Sequence, residues 1–149
     1  MSRYCLLQYL SMAYIIMPFI FFCACSTSHK ANGWYPIGND INSKIIGKPL
    51  VTVRDFCDIA VIRDSICLEG DTIIQVVIQG NIKPEKLHIW IMGTERLIGN
   101  KLGFVFNDSI IIAPKINARI ESGKFQINSS DTILFNNIYE SLKQEIKQD

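Results

Sequence analysis

The sequence has no marked excess of charge of either sign. Its 149 residues carry 15 basic and 14 acidic side chains, a formal net charge of +1. The one-sided basic face that phosphate backbones require is missing, so nucleic acid is not an expected partner. Histidine is scarce too: there are two, His29 and His88. Neither has a second ligand at a metal-site spacing, and solvated or capping roles are expected of both. The chain has no Gly-x-Ser-x-Gly elbow, no phosphate-cradling loop and no zinc-type cysteine pair. No internal repeat and no low-complexity segment is visible either. These absences remove the familiar routes to catalysis, and neither a metal nor another cofactor is expected. What is plentiful is apolar surface. With 48% hydrophobic and 19% charged residues, a folded core is expected rather than a disordered chain.

Part of that apolar content sits at the start. Arg3 gives a short positive beginning, and Leu6 to Phe22 is then apolar apart from Gln8, Ser11 and tyrosines, the layout of an export signal. Its end resembles a lipobox. Phe22, Cys23 and Ala24 supply an apolar residue and two small ones, and Cys25 follows as the residue to be lipidated. Cys23 is the poorer acceptor, because bulky Phe22 would precede the cleaved bond. An uncleaved membrane helix is the competing reading, since residues 6 to 25 have the length that spans a bilayer. Pro18 and the lack of basic residues close behind Phe22 argue against it. The expected organisation is therefore a signal peptide over 1–24, a lipidated Cys25 and tether over 25–50, and one domain over 51–149. Such a protein is anchored in the cell envelope by lipid, with the periplasmic side favoured and the outer membrane its expected site. Without residues 1–24 the chain keeps 14 of its 15 basic residues against 14 acidic ones.

Residues 26–33 are small and mostly polar, as a tether requires. Trp34-Tyr35-Pro36-Ile37 interrupts them and reads as a latch on the domain's own surface, or as aromatics resting at lipid headgroups. Gly38 to Pro49 reads as a loop. Segments 55–63 and 72–79 then alternate or run apolar around turn residues, which predicts an antiparallel hairpin. Pro84 suits the first turn of a helix whose stripe is Leu87, Trp90, Ile91, Thr94 and Ile98, with Gly99 at its end. Leu102 to Phe106 and Ile110 to Ala113 form a second hairpin around Asn107-Asp108-Ser109. A strand over 124–128 follows, and Ser130 or Asp131 can cap a last helix bearing Leu134, Ile138 and Leu142. The order is β-β-α-β-β-β-α. It implies an α+β fold, a mostly antiparallel sheet with two helices on one face.

One stretch is distinctive. From Thr94 through Gly99-Asn100-Lys101, the strand Leu102 to Phe106, the turn Asn107-Asp108 and the strand Ile110 to Ala113, it ends at Pro114-Lys115-Ile116. It resembles the head subdomain of the first periplasmic domain in the SecD/SecF protein-export subunits. There a threonine, a glycine-lysine helix end, a hydrophobic hairpin with a polar turn and a small residue-proline pair recur in that order. Ile120-Glu121-Ser122-Gly123 and the strand after it continue the match. The resemblance covers residues 90–128, and more weakly 55–80 and 130–146. The matching residues are structural types, so it implies a fold and a surface that touches polypeptide or another protein. The sequence carries neither the transmembrane bundle nor the base subdomain of those subunits, so motor function is not implied.

Chemistry has few candidates. Asp55, Asp58, Arg119 and Glu121 are the titratable groups an enzyme of unrecognised type would have to use, but strand starts are often acidic and exposed. Cys57 and Cys67 would lie in an oxidising compartment; a disulfide is conceivable, and buried free thiols are the alternative. Four Asp-(Ser/Thr)-Ile triplets, with Ser65, Thr72, Ser109 and Thr132 as hydroxyls, look like acceptors for periplasmic O-glycosylation, and equally like ordinary turn and cap pairs. Three functions follow. The first is a lipid-anchored binding module contacting an envelope protein or an exported chain, a non-enzyme, for which exposed Phe104, Phe106 or Phe125 would be the contact residues. The others are a purely structural envelope lipoprotein and an enzyme.

Overall fold

The computed structural model describes residues 29–68 and 71–148. The proposed signal and Cys25 lie outside them. The described chain is α+β, and its strands pair antiparallel. The elements are β1 (Gly33–Ile37), β2 (Val51–Thr52), β3 (Phe56–Leu68), β4 (Asp71–Ile82), α1 (Leu87–Arg96), β5 (Lys101–Phe106), β6 (Ser109–Ile112), β7 (Lys124–Asn128) and α2 (Thr132–Lys147). From β3 onward the order is the one the sequence implies. The strands divide into two sheets, however, β2-β1-β5-β6 and β3-β4-β7.

The tether reading fails over residues 33–37. Trp34-Tyr35-Pro36-Ile37 is no surface latch; it is β1, a strand held between β2 and β5. Trp34 and Tyr35 are buried, so the folded part begins well before Val51. Burial on both faces hides the strand from an alternation test, because no polar residue marks an outer side. Pro36 fits because a strand residue's N and C=O point to the same side. The Pro36 carbonyl accepts from Ile46 N, on the side where β2 pairs only with Gly33 and Trp34, so the missing N–H falls past the end of β2.

Gly33 allows β1 and β2 to meet: a Cβ there would lie 2.4 Å from the Val51 carbonyl oxygen. Trp34 sends its ring into the main core, edge to face with Trp90, Phe104 and Phe125 at centroid distances of 6.0, 5.4 and 5.8 Å. The indole N–H groups of Trp34 and Trp90 are buried without a conventional partner, and ring faces are the acceptors at hand. Both sheets and both helices contribute to this core, through Ile78 and Ile127, Leu102 and Phe104, Trp90, Ile138 and Leu142. Tyr35, Ile37 and Val105 form a second, smaller cluster on the other side of β1 and β5.

Helix α1 is preceded by a 3₁₀ turn opened by Pro84 and ends at Arg96; Gly99 then turns the chain toward β5 with φ +86. Thr94 is fully buried. Its hydroxyl donates to Ile91 O at 3.0 Å and accepts from Ile120 N at 3.1 Å, which ties the helix to the crossover before β7. Ile98, placed on the helix stripe by the sequence, lies past the helix end and is exposed. The β5–β6 turn has φ +47 at Asn107 and +62 at Asp108, the left-handed pair a tight hairpin needs. Asp131 caps α2, accepting from Ile133 N at 2.9 Å and Leu134 N at 3.0 Å.

Candidate functional site

A wide cleft comes from unequal strand lengths. β4 has 12 residues, but β7 pairs only with Val77 to Asn81. From Val76 back to Asp71, β4 keeps β3 on one side and, among the described residues, has no strand on the other. The hairpin of β3 and β4 therefore projects as a two-stranded arm. β6 is likewise the edge of its own sheet, and it bulges: Phe104 faces Ile112 and Val105 faces Ile110, so Ile111 is the extra residue. The arm, β6, the β7–α2 connection and the first turns of α2 enclose a cleft of about 1070 Å³. Two open strand edges thus border one cavity.

Its walls are apolar. Val61 and Val76 on the arm are 43% and 40% exposed, Ile111 and Ile112 line the β6 side, and Phe135 and Tyr139 come from α2. Between them stand the amides of Gln75, Asn128 and Asn136 and the hydroxyls of Ser129, Ser130 and Thr132. Glu140 is the one charged residue of the lining. Primary amides donate and accept, which suits a peptide main chain, and unpaired strand edges offer N–H and C=O groups in register for an added strand. The lining gives Glu140 no second carboxylate and no histidine, lysine or cysteine to work with as an acid-base pair. The arrangement can bind an uncharged, extended, partly apolar chain.

The residues singled out from sequence lie elsewhere. Asp55 accepts from Thr52 N at 2.8 Å and Thr52 Oγ1 at 3.1 Å and pairs with Lys86 at 3.4 Å; Asp58 accepts from Asn81 Nδ2 at 2.8 Å. Arg119 pairs with Glu121 and, at 3.9 Å, with Glu95. These carboxylates raise the already high pKa of Arg119, Glu121 first. Asp55 and Asp58 thus hold a turn and a strand end, and their bonds are to residues other than Arg119 and Glu121. Among the described residues no group of three or more His, Cys, Asp or Glu is placed to hold a metal.

His29 Nδ1 lies 2.6 Å from Asp108 Oδ2, while His88 is exposed on α1. Cys57 and Cys67 are both exposed, at opposite ends of β3. The rise of a strand separates them by about 33 Å, so they do not bridge to one another, and neither is a buried thiol. Phe104, Phe106 and Phe125, the expected contact aromatics, are buried in the core at 0%, 6% and 5% exposure. Of the triplet aspartates, Asp108 serves the hairpin turn and Asp131 the helix cap. Sequence reasoning missed the cleft because it ended the hairpin strands at 63 and 79. The usable signal was the apolar content continuing through Ile66 and Leu68, too long for a partner of five residues.

No protein-family model matches the sequence, and no curated protein matches it. Solved structures do. A structure of SecDF, described as a membrane component that enhances protein export, superposes with a TM-score of 0.59 at 18% identity, covering 76% of this chain and 62% of that one. SecDF in a super-membrane-facing form superposes with a TM-score of 0.51 at 22% identity, over 68% of this chain and 14% of that one. This chain therefore spans less than two thirds of the length of either. The similarity shows that the fold is shared with part of SecDF.

Proposed function

We propose that the protein is a binding module of the cell envelope, anchored through lipid on Cys25, whose cleft holds an extended segment of another envelope protein or of an exported polypeptide. It acts by binding and not by catalysis. The observation that carries this reading is the pair of open strand edges, outer β4 and β6, on one apolar cleft with a single charge. Main-chain pairing along an edge supplies affinity with little demand on sequence, which suits a module that meets many chains. The fold shared with SecDF and the export signal agree with that setting. Among the described residues no helix is long and apolar enough to cross a membrane, and a lipid at Cys25 would supply the attachment.

The test is a photoreactive residue in place of Val76 in the full chain, irradiated in intact cells. Polypeptide adducts at Val76, exceeding those from the same residue placed at exposed Met92 on α1, are expected. Equal recovery from both positions, or no polypeptide adduct at Val76, contradicts the proposal.

A further inference from the structure

We infer that residues 29–32 are a clamp that fixes which face of the domain meets the bilayer. The inference rests on the proposed acylation of Cys25. Asn32 is bonded to three elements. Its Oδ1 accepts from Asn107 N at 2.9 Å in the β5–β6 turn, and its Nδ2 donates to Glu145 Oε2 at 3.2 Å near the end of α2. Its carbonyl accepts from Val53 N at 2.9 Å. Ahead of it, Ala31 O accepts from the Tyr35 hydroxyl at 2.8 Å, Lys30 N donates to Asp108 Oδ1 at 2.8 Å, and His29 Nδ1 meets Asp108 Oδ2 at 2.6 Å. A tether free to swivel would need none of these bonds.

Three residues lie between Cys25 and His29, and the four Cα–Cα steps they make reach at most about 14 Å. The β5–β6 turn, bonded to His29, then stays close to that distance from the acyl anchor. The 3₁₀ turn bearing Arg54 and the C-terminal end of α2, bonded through Asn32 three residues on, stay within about 25 Å of it. This face bears the chemistry of a headgroup contact. Among the described residues, Lys30 and Arg54 are exposed on this face and in no ion pair, and the carboxylates of Asp108 and Glu145 are turned inward onto the clamp, bonded to His29 and Lys30 N and to Asn32. The short link to the anchor makes the bilayer surface the partner of this face, with Lys30 and Arg54 the side chains able to meet phosphate headgroups. At about 1.5 Å per residue, the first residue of α2, Thr132, lies about 20 Å along the helix from Glu145. Thr132 lines the cleft, so the clamp holds the cleft on the side of the domain away from the lipid.

The experiment uses the full chain in its native membranes, with a photoreactive residue replacing either exposed Ser109 beside the turn or exposed Thr132. Phospholipid adducts several-fold more frequent at Ser109 than at Thr132 are expected. Asp108→Gly, which keeps the left-handed turn but removes the carboxylate, together with Asn32→Ala, should bring the two yields close to equality. Equal yields in the otherwise unaltered chain overturn the clamp. Intact mass of the same extracted protein separates the two readings. An acylated chain beginning at Cys25 with equal yields sinks the clamp alone, whereas an unacylated chain removes the anchor and the clamp with it.

Discussion

Single residues show how a motif legible in sequence becomes a structural requirement. Thr94 belongs to the stretch that resembles the export subunits, and it is a buried hydroxyl with two bonds. Thr94→Val would strand the Ile120 N–H, and a loss of about 1–3 kcal/mol is expected in urea unfolding, while Thr94→Ser keeps most of the stability. Asp131→Ala removes the acceptor for two helix N–H groups and should cost about 1 kcal/mol in the same measurement. Asp108 provides a pH test. The Lys30 N–H, and after it His29, hold its carboxyl below the ordinary carboxylate range. A group depressed in the folded state contributes while ionised and stops contributing as pH falls through its folded value. Exchange protection of the Lys30 amide is therefore expected to persist at mildly acid pH. It should disappear only below the ordinary aspartate value of about 3.9.

At the scale of elements, legibility followed exposure. α1 and α2 were readable because each has a buried stripe and an outer face that breaks it, and the Asn107-Asp108 turn because so few residues take positive φ. β1 was unreadable for the opposite reason: Trp34 faces one core and Tyr35 another. Pro36 is no strand signal either, and it is tolerated there because β2 is too short to need that N–H. Gly33→Ala tests how closely β1 and β2 approach. Its Cβ would meet backbone that cannot turn aside, so a loss of about 1–3 kcal/mol in thermal or urea unfolding is expected. The arm of β3 and β4 was half legible. Its apolar residues stand in the sequence, but that the third strand stops at Asn128 is a fact of pairing, and the cleft follows from that stop. Val76→Asp places a charge on an apolar wall beside an open edge. It should weaken peptide binding about tenfold or more with little change in unfolding midpoint, since Val76 is already partly exposed.

For the molecule as a whole, a main core drawn from both sheets holds together strands that, among the described residues, do not pair into one sheet. Leaving the sheets separate keeps the β6 edge and the outer β4 edge open on the same side. A purely structural lipoprotein has no use for two unpaired edges, which are an aggregation liability unless something fills them. The most direct measurement is hydrogen exchange on the full chain with and without an alternating Thr-Val peptide. If the cleft takes an added strand, backbone amides of β6 and the Val76 amide on the open edge of β4 slow on peptide addition while the exposed face of α1 is unchanged. If no amide in β6 or outer β4 slows, or if protection appears on α1 instead, the cleft is not a polypeptide site.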